Sequence, residues 1–135
     1  MKAKPRVLDA YSLIAYLEDE SGSDRVMELI QTARDSGRDL LLSVINWGEV
    51  YSITLRELGQ KQADEMARIL SALPIQIIDV DMATVKQAAT YKAGKKMSYA
   101  DCIAAATAKL HKAELVTGDK DFKQVEDEVQ ILWIA

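Results

Sequence analysis

The chain reads as an α/β domain built on an open, mostly parallel sheet, and three observations predict it. Short apolar runs that fit buried strands alternate along the sequence with longer segments whose apolar residues recur at helical spacing. Several of these runs end in an acidic, hydroxyl or glycine residue where the next helical pattern begins. The 135 residues, 49% hydrophobic, form one domain spanning 1–135, with no repeat, low-complexity tract or linker to divide it. A domain of this size buries about two-thirds of the surface its unfolded chain exposes, so it needs no disulfide or structural metal.

The elements follow in order. Pro5-Arg6-Val7-Leu8-Asp9 is an apolar run closed by an acid, and Leu13, Ile14 and Leu17 continue with the period of an amphipathic helix, which makes Asp9 a strand-to-helix junction. A helix is predicted from Ser21 to Ser36 with Val26, Met27, Leu29, Ile30 and Ala33 inward, ended by Gly37. Leu40 to Val44 is the second strand. The segment from Asn46 to Leu58 carries Trp47, Val50, Tyr51, Leu55 and Leu58 at helical spacing, with Glu49 in its first turns. Leu58-Gly59-Gln60 breaks it from a further helix that shows Met66, Ile69, Leu70 and Leu73 on one side and stops at Pro74. Ile75 to Val80 alternates too little for a half-exposed strand and is expected to be buried on both faces. A helix follows from Ala83 to Lys92. Ser98-Tyr99-Ala100-Asp101 fits a capping box opening the alanine-rich helix Cys102 to Leu110. Glu114 to Thr117 is a strand that meets the glycine turn Gly118-Asp119-Lys120-Asp121-Phe122 and then a short helix.

Four acids, Asp9, Glu49, Asp101 and Asp119, thus stand at strand ends or helix starts although they are remote in sequence. In an open parallel sheet those points share one edge, where ligands bind at the topological switch point. Two ionised carboxylates about 6 Å apart repel by roughly 3 kcal/mol at an effective dielectric near 20. Four in one cleft therefore call for protons or a cation. Oxygen donors without clustered His or Cys suit a hard ion, Mg²⁺ or Mn²⁺, which meets its substrate through phosphate oxygens and so fits phosphodiester hydrolysis. Each acid taken singly also has a structural reading: Asp101 as a capping-box acid, Asp9 and Asp119 as turn or cap formers, Glu49 as a solvated helix residue. Their joint placement favours a site.

Val7-Leu8-Asp9-Ala10, Ser43-Val44-Ile45-Asn46-Trp47-Gly48-Glu49-Val50, the run from Ser98 to Ala108, and Leu115-Val116-Thr117-Gly118-Asp119-Lys120-Asp121-Phe122 resemble, in order and spacing, the successive motifs of PIN domains. Val129 to Trp133 resembles their last strand. The resemblance spans nearly the whole chain and is nearest to the compact VapC-type toxins of prokaryotic toxin-antitoxin modules. It implies a three-layer α/β/α domain with about five strands, and Mg²⁺- or Mn²⁺-dependent endonucleolytic cutting of RNA. It also implies metal ligation by Asp9, Asp101 and Asp119, with Glu49 assisting and Asp121 as a further acid. Tyr11 departs from the small or hydroxyl residue often found at its position, and Ser12 stands as a replacement hydroxyl. Thr117 is expected to orient a metal-bound water. The resemblance further implies a homodimer, and a cognate antitoxin whose helix enters a groove near Met27, Tyr51, Leu55, Leu58 and Met66. The bland reading of those residues is ordinary core.

Charge argues against a nucleic-acid substrate, since 17 basic and 21 acidic residues give a net −4 and bulk electrostatics would not attract RNA. Lys86, Lys92, Lys95, Lys96, Lys120 and Lys123 remain as candidate phosphate contacts beside the acids. The one cysteine, Cys102, is expected to be a small core residue, and the one histidine, His111, a helix-end residue. The apolar runs are too short to span a membrane and the first residues carry no signal-peptide core, so a cytoplasmic protein is expected. Gly94-Lys95-Lys96 lacks the first glycine and the final Ser or Thr of a P-loop. The rival reading is a receiver-like phosphoacceptor domain using Asp9, Asp79 and Lys120; it leaves Glu49 and Asp101 without a role. A non-catalytic scaffold of the same fold is a third reading, one that predicts missing acids.

Overall fold

Successive side chains of a strand point to opposite faces, and the apolar runs of this chain use both. In the computed structural model, which describes residues 4–135, Val7, Leu41 and Leu115 enter one core while Leu8, Leu42 and Val116 enter another. The strands are β1 (Arg6–Leu8), β2 (Leu40–Ser43), β3 (Ile75–Ile78), β4 (Glu114–Thr117) and β5 (Ile131–Trp133). They pair in the order β3-β2-β1-β4-β5, and every pairing is parallel.

Helices cover the two faces, giving three layers. The first core is closed by α5 (Met82–Gly94), α6 (Tyr99–Leu110) and a 3-10 helix (Lys120–Val125) through Ala88, Tyr91, Ile103, Phe122 and Val125. The second is closed by α1 (Ala10–Leu17), α2 (Ser23–Ser36), α3 (Val44–Leu58) and α4 (Gln60–Ser71) through Leu13, Val26, Ile30, Val50, Met66 and Leu70. In α6 every residue from 102 to 108 is buried, Cys102 included as a free thiol, because a helix of small residues can sit close to its neighbours on all sides. Helix α2 ends at Gly37, whose φ of 69° lies in the left-handed region that a glycine adopts at least cost.

Two expectations need correction. The run expected to be buried on both faces is an edge strand: Gln76 and Ile77 are exposed, Ile77 to 42%. Its apolar composition carries no record of its rank in the sheet. Met27 is 54% exposed, because the inward stripe of α2 is Val26, Leu29, Ile30 and Ala33, and Met27 falls one position off it. Leu55 and Leu58 are exposed as well. Some boundaries shift by one or two residues: α2 starts at Ser23, α5 spans Met82–Gly94, and the last strand is Ile131–Trp133. Helix α3 follows β2 with no loop, since the Ser43 hydroxyl caps it by accepting from the Ile45 N–H at 3.2 Å.

Candidate active site

The chain runs from β1 to β2 on one side of the sheet and later returns to β4 on the other side of β1, so the switch point lies between the carboxyl ends of β1 and β4. Asp9 follows β1 directly and caps α1. Its Oδ1 accepts the Ser12 N–H at 2.8 Å while the Asp9 N–H reaches the Ser12 hydroxyl at 3.1 Å, a reciprocal capping box. Its Oδ2 accepts from the Thr117 hydroxyl at the end of β4. Asp9 is 1% exposed, and burial pushes its carboxyl up to about 7 against the lowering effect of the Thr117 and Ser12 hydrogen bonds.

Thr117 links two site acids. Its single proton goes to Asp9, and its lone pair accepts the Asp119 N–H at 3.0 Å. The hydroxyl expected to orient a water is thus committed to a carboxylate. Asp119 caps the 3-10 helix, accepting the Asp121 N–H at 2.9 Å. Asp101 is the third residue of α6 and donates its N–H to the Ser98 hydroxyl at 3.1 Å. Burial raises its carboxyl to about 6, and the charges of Asp119, Glu49 and Asp121 add to the rise.

Asp101, Asp119 and Asp121 each offer one carboxylate oxygen, all within 4.8 Å of one another. Among the described residues this is the one such trio. Oxygens about 2.1 Å from a Mg²⁺ lie about 3 to 4 Å from each other, so small rotamer adjustments close the set around an ion, and an all-oxygen set suits Mg²⁺ or Mn²⁺. Asp9, read from the sequence as a ligand beside Asp101 and Asp119, is outside the trio; its oxygens face Ser12 and Thr117, and it is coupled to Asp101 by charge. Asp121, read as a further acid, is inside it and exposed. Glu49 is half-buried in α3 and adds to the rise in the Asp101 pKa.

Asn46 was not singled out from the sequence. It is fully buried, and its Nδ2 donates to Glu49 Oε1 at 3.3 Å and to the Ala100 carbonyl at 3.1 Å, tying α3 to the first turn of α6 beside Asp101. Two acceptors on that side fix the amide orientation, which leaves Asn46 Oδ1 buried without a partner among the described residues. The signal was present: a poor helix former three residues before Glu49 shares its helix face. Tyr11 also acquires a reason. A Cβ on Gly118 would come within 2.3 Å of Tyr11 Cε1, so the ring lies against the turn that carries Asp119.

On the second core's side, Ile14, Leu17, Ile53, Leu58, Met66 and Ile69 line an apolar groove between α1, α3 and α4, with Glu18 and Glu65 at its rim. Among the described residues no helix is long and apolar enough to cross a membrane.

Comparisons with known proteins agree with this architecture. Among solved structures, the chain resembles a DNA-bound VapBC from Salmonella typhimurium at TM-score 0.80 and 14% identity, covering 98% of this chain and 100% of the other. A toxin-antitoxin complex from Klebsiella pneumoniae matches at TM-score 0.67 and 24% identity over 87% of this chain and 89% of that one. A sarcin-ricin loop cleaving VapC toxin of Mycobacterium tuberculosis matches at TM-score 0.66 and 16% identity over 89% and 94%. No curated protein sequence matches the chain. The family model described as the PIN domain matches residues 6–128. A parallel sheet in this order, acids gathered at its switch point and a match over nearly all of the chain give one result: the chain belongs to the PIN domain family.

Proposed function

We propose that the chain is a metal-dependent endoribonuclease, the toxin of a VapC-type toxin-antitoxin pair, acting on RNA in the cytoplasm. The observation that carries the reading is the trio of carboxylate oxygens from Asp101, Asp119 and Asp121 beside a buried Asp9 whose proton affinity is raised. Asp101, Asp119 and Asp121 would hold Mg²⁺ or Mn²⁺, with Asp9 supplying further negative charge next to them. A cation held by these carboxylates would polarise the phosphodiester and make hydroxide accessible near neutral pH. Thr117 and Ser12 hold Asp9 in a single rotamer. Glu49, oriented by Asn46, is the group that accepts a proton from the attacking water or orients it. Lys120 and Lys123, close in sequence to Asp119 and exposed, are available to substrate phosphates. Lys92 spends one of its three donors on the Met97 carbonyl, at 2.8 Å from its Nζ.

Likeness to chains of solved toxin-antitoxin complexes supports a cognate antitoxin as partner, with the α1, α3 and α4 groove as the apolar seat for its helix. A homodimer is proposed by the same analogy. The phosphoacceptor alternative is disfavoured because Asp79 follows β3, which β2 separates from β1 and Asp9. The test is purified protein given single-stranded RNA with Mg²⁺, Mn²⁺ or EDTA. Cleavage should require the metal and fall at least a hundredfold in Asp9→Asn and Asp101→Asn, in line with about 3 kcal/mol for a charged group at the reacting centre. Wild-type rates in either variant would refute the assignment.

A further inference from the structure

The chain has eight aromatic residues, two Trp, five Tyr and one Phe. Six are buried or half-buried, and the two exposed ones are Tyr11 at 38% and Tyr99 at 45%. Of the two, Tyr11 is the one beside the acids, two residues after Asp9 in the first turn of α1; Tyr99 opens α6 two residues before Asp101, and side chains at that spacing point to different sides of a helix. Tyr11 is also held. A Cβ on Gly118 would lie 2.3 Å from its Cε1, 2.6 Å from its Cζ and 2.9 Å from its Oη, so the turn between Thr117 and Asp119 has room for the ring only because residue 118 is glycine. The ring is therefore fixed along one side while more than a third of the residue faces water.

A chain of net charge −4 has little long-range attraction for RNA, so beside the nearby lysines affinity draws on contacts that do not depend on net charge. Aromatic rings supply them by stacking on bases, whatever the sequence. We propose that Tyr11 is the base-binding residue of the site, stacking on an unpaired nucleobase next to the scissile phosphate. The inference rests on the nuclease reading and specifies its substrate as single-stranded RNA with splayed bases, because a duplex keeps its base faces covered.

The test uses an oligoribonucleotide with one mapped cut position and versions carrying an abasic ribose on either side of it, read by kcat, by KM and by anisotropy of a labelled strand. Tyr11→Ala should weaken binding of the intact strand roughly 5- to 150-fold, the range for loss of one stacked base, with kcat little changed. Tyr11→Phe should bind like the wild type. Tyr11→Leu, which keeps apolar bulk against Gly118 without an aromatic face, should lose as much as Tyr11→Ala. On the abasic strand missing the base the ring holds, the alanine variant should show no further loss. Equal losses on intact and abasic strands, no loss at all, or a leucine variant as good as phenylalanine would overturn the proposal. RNA that is bound but never cut with either metal would instead remove the nuclease reading, while the anisotropy series still decides the stacking.

Discussion

At Asp9 two effects of opposite sign meet on one side chain. Burial favours the neutral acid, whereas the Thr117 hydroxyl and the Ser12 N–H favour the carboxylate, and burial wins. Replacing Thr117 with Val removes the hydrogen bond that most opposes the rise of the Asp9 pKa and leaves Asp9 Oδ2 and the Asp119 N–H without their common partner. Thr117→Val is expected to raise the Asp9 pKa further and to lower unfolding stability by about 1–3 kcal/mol, read by carboxyl NMR titration and by the urea midpoint. Thr117→Ser, which keeps the hydroxyl, should restore most of both. At this scale the acids were readable because each sits at a local junction. Asn46 was not, because its main bond, to Ala100, crosses 54 positions of sequence.

The turn after β4 and the start of α1 behave as one unit through Gly118 and Tyr11. Gly118→Ala would drive a methyl into the Tyr11 ring, and overpacking of this kind costs about 1–3 kcal/mol. Adding Tyr11→Ala should recover much of that cost, so thermal unfolding of the two single variants and the double variant should be clearly non-additive. Strict additivity would mean that the ring has an easy way out. Strand β3 offers a contrasting case. Ile77 is 42% exposed on the sheet edge, so Ile77→Lys is expected to change stability by no more than about 0.5 kcal/mol and to protect the edge from strand addition. Leu42→Lys, at a residue buried completely in the interior strand β2, should prevent folding.

For the whole molecule the raised acids link stability to pH. Below about pH 4 Asp9 is protonated in both folded and unfolded chains, and its shift costs nothing. As pH rises from 3.8 to about 7 the unfolded chain releases a proton that the folded chain retains, so folding stability falls, and above about 7 the loss is complete. The Asp9 shift alone amounts to something on the order of 4 kcal/mol, and Asp101, raised to about 6, acts in the same direction. Metal-free protein is therefore expected to have a lower urea midpoint at pH 8 than at pH 5, with Mn²⁺ or Mg²⁺ restoring stability at pH 8 by binding the ionised folded state. A midpoint that rises across this window in EDTA would contradict the burial of Asp9.

By itself the sequence determined one α/β domain, nearly every strand and helix, and the edge of the sheet to which the acids belong, since period, caps and strand ends are written in neighbouring residues. Val7 and Leu8 facing opposite cores, the buried small residues of α6 and the Gly37 stop all follow from such short-range rules. The tertiary structure decided the order of the strands, which puts β3 at an edge, and the membership of the acid trio, with Asp121 inside and Asp9 bound by Thr117. It also decided the Asn46 tie across to α6 and the fit of Tyr11 against Gly118. These depend on distances between residues about twenty to more than a hundred positions apart in the chain, and no local propensity encodes such distances until the layers have packed.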